Sequence, residues 1–286
     1  MRAVSLDRDV LLVTSALLRV NCVIVRGTIA AAESEAEDPA GNPLRVIQAG
    51  SAAEAFVIDS PVLPDELDAL PALLEQARFP APAGLLATHA DWDHLLGRLA
   101  FPGLALGCAE SSAHRLANEP GEAQRALRDF DEDLGIERPR PLSLGSVQAL
   151  PVPGRCEIGG QELELHSARG HTADGMAIVI PWAGVLVAGD YLSPVEIPQL
   201  NAGDLIEEYL ETLERLRGLL GRVEQVVPGH GPPISAQQAG VICEQDIAYL
   251  QDLREHGRDA RVPQERRSRG QRAVHEHNLA QLGRGD

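Results

Sequence analysis

Short runs of apolar and β-branched residues, punctuated by Gly, Pro and Asp, alternate along this chain with longer stretches whose apolar residues recur every three or four positions. The short runs read as buried strands and the longer stretches as amphipathic helices. Strands are predicted at Val10 to Thr14, Leu18 to Val25, Arg45 to Gln48 and Ala53 to Asp59. Between them the acidic, small-residue stretch Ala30 to Gly41 reads as a mobile loop. Pro61 to Pro64 mark a turn, Asp65 to Ala77 has helical spacing, and Gly84 to Thr88 is a short buried strand.

The same rhythm continues, with a strand near Leu104 to Cys108 and helices near Ala109 to Ala117 and Glu122 to Leu134. Strands follow at Val147 to Leu150, Gln161 to His166, Met176 to Ile180 and Val185 to Ala188. Asp204 to Leu220 is a helix, Glu224 to Val227 a strand and Ala236 to His256 a long last helix. Strands lead and helices intersperse twice over. That order predicts two ββα-like halves packed sheet on sheet, with helices on the outer faces. Residues 1–257 form one domain on this reading, since no linker is long enough to divide them. Residues 258–286 are a charged extension, helical or mobile. Its segment Glu265 to Arg272 is almost without apolar residues, and reads as solvated or as a contact for a partner or a second copy in a homodimer.

Composition narrows the classes of function. The 286 residues are 44% hydrophobic and 23% charged, as expected of an ordinary globular domain. A formal net charge of −17 argues against nucleic acid or an anionic membrane as partner. Every basic residue apart from histidine is arginine. Schiff-base chemistry, pyridoxal phosphate attachment and a Walker-type phosphate loop all need lysine, so they are excluded. The four cysteines (Cys22, Cys108, Cys156, Cys243) are scattered, which suits free thiols in a reducing compartment. With no apolar run near 18 residues and no leader-like start, the expected location is the cytoplasm.

Chemistry concentrates at His89-Ala90-Asp91-Trp92-Asp93-His94, directly after the strand Gly84 to Thr88. His89 and Asp91 are spaced to face one ion, and Asp93 and His94 can turn toward another. Three further candidates each follow an apolar strand: His171 in Gly170-His171-Thr172, Asp190 in Ala188-Gly189-Asp190, and His230 in Pro228-Gly229-His230-Gly231. Glycine beside each lets the backbone approach a crowded centre. Singly these are turn or capping residues; their joint occurrence is not explained by packing.

In these residues the chain resembles the metallo-β-lactamase superfamily, whose pattern is HxHxDH followed by a lone His, a lone Asp and a final His. The resemblance spans roughly residues 10 to 235, and the segments around His171 and His230 look most like the glyoxalase II-like branch. It implies an α/β (α+β) fold, the four-layer αββα metallo-β-lactamase sandwich, with a binuclear centre at one edge of the sheets. It further implies His89, Asp91 and His171 on one metal, Asp93, His94 and His230 on the other, and Asp190 bridging. Asp59, after Phe56-Val57-Ile58, matches the family's buried supporting aspartate.

Imidazole and carboxylate ligands without thiolate suit two divalent ions, zinc first, with iron or manganese as alternatives. Such a pair activates water without a serine or cysteine nucleophile, and Asp93 is placed to orient that water and pass on its proton. The departure from the pattern is Asp91, where the family usually has histidine. Two ions bring about +4, and Asp93, Asp190 and a shared hydroxide about −3; Asp91 brings the sum to about 0. The result is a weaker Lewis acid and a preference for harder ions. A carboxylate there also resembles the superfamily's diiron flavoproteins, although this chain has no room for their flavodoxin domain.

The expected function is a metal-dependent hydrolase of a small-molecule ester, lactone or thioester. The alternatives are a non-haem iron oxidoreductase on the same fold and a degenerate metal-binding protein without catalysis. Tyr191 and Ser193 follow Asp190 and are candidate oxyanion donors. Trp92 either walls the pocket or anchors its loop. His114, His166 and His256 read as solvated or packed residues, and His275 with His277 as a weak HxH metal candidate.

Overall fold

In the strand Val10–Thr14, Val10 and Leu12 face one apolar cluster while Leu11 and Val13 face another, and all four are buried. A strand covered on both faces lies inside a layered structure, and here the layers are helix, sheet, sheet and helix. The computed structural model describes residues 1–27, 32–37, 43–48, 53–201 and 205–282. The first half contains β1 (Arg2–Asp7), β2 (Val10–Thr14), β3 (Asn21–Gly27), β4 (Ala32–Glu37), β5 (Pro43–Gln48), β6 (Glu54–Ile58), α1 (Pro64–Gln76), β7 (Pro82–Leu86), α2 (Gly97–Ala100), β8 (Leu106–Ala109), α3 (Glu110–Asn118), α4 (Glu122–Leu134) and β9 (Val147–Leu150). The second contains β10 (Gly154–Ile158), β11 (Gln161–Ser167), β12 (Met176–Ile180), β13 (Val185–Gly189), α5 (Ile206–Leu219), β14 (Gln225–Pro228), β15 (Ile234–Ser235) and α6 (Ala236–His256); α7 (Arg269–Leu282) follows.

The first sheet has the order β1-β2-β3-β6-β7-β8-β9 and the second the order β10-β11-β12-β13-β14-β15. Strands β6 to β9 run parallel, as do β13 and β14, while the remaining neighbours are antiparallel. Val10, Val23, Ile178 and Val187 belong to the cluster between the sheets. Leu70, Leu85 and Leu127 pack beneath the helices of the first sheet, and Leu213, Leu216 and Leu250 beneath those of the second. Each such Leu or Ile contributes about 1.5–3 kcal/mol on burial. The start of α6 is fixed locally by a capping box. Ser235 Oγ accepts from Gln238 N at 3.2 Å, and Gln238 Oε1 accepts from Ser235 N at 3.1 Å.

Four expectations change. Residues 32–37, read as part of a loop, pair with 43–48 as the hairpin β4–β5; the rest of the span 30–41 lies outside the described residues. Leu18 and Arg19 are not strand: both take left-handed backbone angles (φ 57 and 56), and β3 begins at Asn21. Apolar character alone suggested a longer strand, but this turn has to present the Leu18 carbonyl to His230. β1, which the sequence reading does not include, pairs along β2 at the sheet edge, with Val4 and Leu6 half-buried and Ser5 between them exposed.

Finally, the segment 258–282 carries the expected helix, α7, and many exposed residues, but it is also docked, with Arg266, Gln271 and Asn278 buried. Arg266 is buried and donates to Glu196 O at 2.8 Å and to the buried Asp246 Oδ1 at 2.5 Å. Removing either member of such a pair leaves an uncompensated buried charge, at a cost of about 3–5 kcal/mol. From α7, Gln271 Oε1 accepts from Ile197 N at 2.7 Å and Asn278 Oδ1 from Leu200 N at 2.9 Å. The charged sequence hid this because buried polar side chains share the attachment with a sparse set of apolar ones, Val262, Val274, Leu279 and Leu282.

Candidate metal centre

The loops that follow β6, β7, β13 and β14, with the loop between β11 and β12, converge at one edge of the two sheets. They carry Asp59, the run 89–94, Asp190, His230 and His171. Three groups of donor atoms lie close together: His89 with Asp91 and His171, Asp93 with His94 and His230, and His89 with His94 and Asp190. Asp91 Oδ2 is 3.6 Å from His89 Nε2 and 3.5 Å from His171 Nε2. Asp93 Oδ2 is 3.4 Å from His230 Nε2 and 3.8 Å from His94 Nε2. Asp190 touches both groups. Its Oδ2 is 3.3 Å from His171 Nε2 and 3.4 Å from His230 Nε2, and its Oδ1 is 3.2 Å from His94 Nε2.

Three of the four imidazoles are hydrogen-bonded from behind through Nδ1, and the fourth, His94, has Nδ1 close to the Asp59 carboxylate without a hydrogen bond. His171 Nδ1 faces Gln199 O at 3.0 Å and His230 Nδ1 faces Leu18 O at 2.9 Å. His94 Nδ1 lies 3.0 Å from Asp59 Oδ2, and His89 Nδ1 lies 3.1 Å from Thr88 Oγ1, whose own proton goes to Asp59 Oδ2. An acceptor at Nδ1 fixes the proton there and turns the Nε2 lone pair inward, which is the arrangement that a ligating histidine requires. The buried His89 Nε2, His94 Nε2 and Asp190 Oδ1 have no hydrogen-bond partner, and neither does His94 Nδ1. Buried polar atoms are rarely left this way, so the donor set fits a cation.

The charges agree. Burial opposes ionisation of Asp91, but hydrogen bonding to His171 and His89 outweighs it and holds the carboxyl well below its ordinary range. Burial also opposes charge on His171 and His230, yet the carboxylates beside them lift the two to about 9 and about 10. Protons here stand where cations of higher charge fit better.

Local backbone shapes the centre. Asp59 takes a left-handed angle (φ 57) that brings both its oxygens to Thr88, accepting from Thr88 N at 2.8 Å. A Cβ at Gly229 would collide with Asp190 Oδ1, so the chain needs glycine before His230. Asn21 spans the two sheets, donating from Nδ2 to Pro228 O at 2.8 Å and Gly231 O at 2.7 Å, and so pins the His230 loop.

The weaker candidates sort clearly. Tyr191 is buried behind the centre, with its hydroxyl accepting from His171 N at 2.9 Å and its ring 4.6 Å from Tyr209. It supports the His171 loop and does not line the cleft, which corrects the expected catalytic role. Ser193 Oγ does line the cleft but gives its proton to His230 O at 2.9 Å. Trp92 both walls the cleft and packs on Phe130 at 4.5 Å. His275 meets Tyr249 Oη at 3.0 Å and His277 meets Leu200 O at 3.0 Å, so the HxH pair is spent on docking α7. His166 faces Glu164, His114 faces Asn118 and His256 faces Asp252.

Beside the donors is a cleft of about 270 Å³, walled by Trp92, Leu192, Ile197 and, from α7, Gln271 and Val274. Glu196 also lines it, and burial raises its carboxyl above the ordinary range. A larger cleft of about 790 Å³ lies against the other flank of Asp91 and is lined by Arg115, Asp174 and Asn201. Sequence reading missed Glu196, Arg115 and the α7 wall. None carries a local motif, and each reaches the centre only through tertiary packing. Among the described residues, no helix is long and apolar enough to cross a membrane.

No curated protein sequence matches the chain. Among solved structures it is similar to a metallo-beta-lactamase family protein from Thermus thermophilus, with 20% identity over 86% of this chain and 81% of that one, at a TM-score of 0.61. A beta-lactamase domain protein from Burkholderia ambifaria is 17% identical over 88% of this chain and 78% of its own, at 0.60. The protein TTHA1623, solved in a di-iron-bound form, is 21% identical over 79% and 95%, at 0.50. These likenesses carry the fold. The family model described as the Metallo-beta-lactamase superfamily matches residues 81–230, more than half of the chain, from β7 through His230, and the protein therefore belongs to that superfamily.

Proposed function

We propose that this protein is a metal-dependent hydrolase acting on a small ester, lactone or thioester. The observation that carries this reading is the set of four imidazoles turned inward at Nε2 around Asp190, three of them hydrogen-bonded at Nδ1 and the fourth, His94, backed by the Asp59 carboxylate. His89, Asp91 and His171 would hold one divalent ion and Asp93, His94 and His230 the other, with Asp190 shared. Zinc is the first choice for so imidazole-rich a set, while the carboxylate of Asp91 also admits iron or manganese. When bound, such ions acidify water and polarise a carbonyl oxygen.

The chain's own groups supply the rest. Asp93 turns Oδ2 toward His230 and His94, leaving Oδ1 to hold a proton and return it to the leaving oxygen or sulfur. Trp92, Leu192 and Ile197 give the cleft apolar walls that seat an acyl chain and exclude water. No arginine is among the described lining residues, whereas Asp91, Asp93, Asp190 and Glu196 are. That balance suits an uncharged substrate better than a phosphoester or a carboxylate-bearing one.

The test is metal analysis of the purified protein, followed by a hydrolysis screen over lactones, thioesters, carboxylic esters and phosphoesters. The screen is run before and after chelation and zinc resupply. The expected result is hydrolysis of uncharged substrates that chelation removes and zinc restores. A second reading, an iron oxidoreductase, is favoured by the carboxylate at position 91. Tightly bound iron with a visible absorption band, and no metal-dependent hydrolysis across the panel, would establish it instead.

A further inference from the structure

Asp91 is the residue by which this centre departs from an all-histidine first trio, and it does not stand alone. Its two oxygens face different ways. Oδ2 faces His89 and His171, while Oδ1 accepts from Arg115 Nη1 at 2.8 Å. The same Nη1 donates to Asp174 Oδ1 at 3.0 Å, and Nη2 reaches Glu122 Oε1 at 3.3 Å. A guanidinium nitrogen of this kind has two hydrogens, so both are committed to the two aspartates. Asp174 is itself fixed, its Oδ2 accepting from Ala90 N at 3.0 Å in the loop between His89 and Asp91. Arg115 comes from α3, 24 residues from Asp91 in sequence, and its side chain is 21% exposed against 22% for Asp91.

We infer that Arg115 is the positioning residue that lets an aspartate serve where a neutral imidazole would otherwise stand. This rests on the metal-site reading above. An unbraced carboxylate at position 91 has two equivalent oxygens, can bind an ion through both, and adds a full negative charge to the first trio. With Oδ1 taken by the guanidinium, one oxygen remains for the ion, and the cation, shared with Asp174 and Glu122, offsets part of the added charge. The pair Asp91–Arg115 then presents one aimed donor atom of reduced charge. Arg115 touches neither ion nor substrate and acts only through Asp91.

The experiment is a double-mutant cycle read by metal affinity. Chelator-treated native protein and the variants Arg115→Met, Asp91→His and Asp91→His/Arg115→Met are titrated with Zn²⁺ against a chromophoric competitor. The titration resolves two dissociation constants. The expected result is that Arg115→Met weakens one site by about 10–100-fold, the usual effect of removing a ligand's supporting partner, and leaves the other within about threefold. In the Asp91→His background the same change should cost nothing, because a histidine needs no such aiming. A Co²⁺ absorption spectrum altered by Arg115→Met in the native background alone would agree.

Equal losses in both backgrounds, or at both sites, would reduce Arg115 to a scaffold residue and overturn the inference. So would no loss in the native background. If circular dichroism shows that Arg115→Met does not fold, Arg115→Lys takes its place in the same cycle: it keeps one charged donor and gives a smaller loss that Asp91→His must still abolish. Native protein that binds no zinc at all would sink the metal reading first, and the inference with it; two intact sites indifferent to Arg115 would sink the inference alone.

Discussion

The two halves of the centre are built to different standards. Asp93, His94 and His230 are buried, with His94 fully enclosed and backed by Asp59. His89, Asp91 and His171 include a carboxylate that is 22% exposed, borders a second cleft and is braced by an arginine from another element. The enclosed half relies on burial and on Asp59, whose oxygens are already committed to Thr88 and His94. The open half relies on a balance of charges. Enclosure gives a site little freedom to change its ion, whereas a charge balance can be shifted by one substitution. On this reading the first trio decides which metal the protein prefers.

The largest effect expected is that of Asp190→Ala, since Asp190 reaches donors of both halves. It should remove metal from both sites and lower kcat/KM by about 10³ or more, checked by metal content and hydrolysis together. If one ion stays at full occupancy, Asp190 is not shared. Next, His94→Ala and His171→Ala should each reduce the zinc content from two ions to one. His94→Ala should also destabilise the metal-free fold, by about 1–3 kcal/mol, because it leaves the buried Asp59 oxygen facing a void; an unchanged denaturation midpoint would show that His94 does not hold that oxygen.

Asp59→Ala should weaken the Asp93–His94–His230 site by about 10–100-fold in zinc titration, with less effect on its neighbour. A smaller change is expected of Asp91→His, which should move the preference of the first trio from iron or manganese toward zinc in competition experiments. Unchanged preference would show that position 91 does not set the ion. The smallest effect is one of pH on the metal-free protein. There the folded state holds protons on His171 and His230 up to about 9 and about 10, against an ordinary value of 6.5. The stabilisation is therefore complete below about pH 6.5 and is lost as pH rises through 9 to 10. The melting temperature of metal-free protein should fall across that range, while that of zinc-loaded protein should not follow it.

Much of this was legible in the sequence where the signal is local. The seven donor candidates follow strand ends, and a strand end with glycine beside it is visible in a single window. Helices α4 and α6 and strands β2, β9 and β12 have the bounds read from the sequence, because apolar runs or helical spacing end there at a turn-forming or polar neighbour. Side-chain direction was not legible. Tyr191 sits next to Asp190 in the chain, yet its ring volume packs against Tyr209 and its hydroxyl serves the His171 backbone. Nor could Arg115 be found, since an arginine in an exposed-looking helix carries no mark of the carboxylate it will meet across the fold. The tail misled for a related reason. Beside a few apolar contacts, its attachment uses Arg266, Gln271 and Asn278, polar residues that read as solvent-facing until their partners are known.

That attachment has a consequence for how the site comes into being on the ribosome. A nascent chain that has emerged only through α6 already carries all seven donor residues. It does not yet carry the side chains that hold the backbone from Ile197 to Leu200, nor the α7 residues that complete the cleft wall. The donors are thus synthesised first, and the α7 residues that complete the cleft wall last. Because α7 also holds the backbone around Gln199, whose carbonyl backs His171, its arrival ties the finished cleft to the finished donor set.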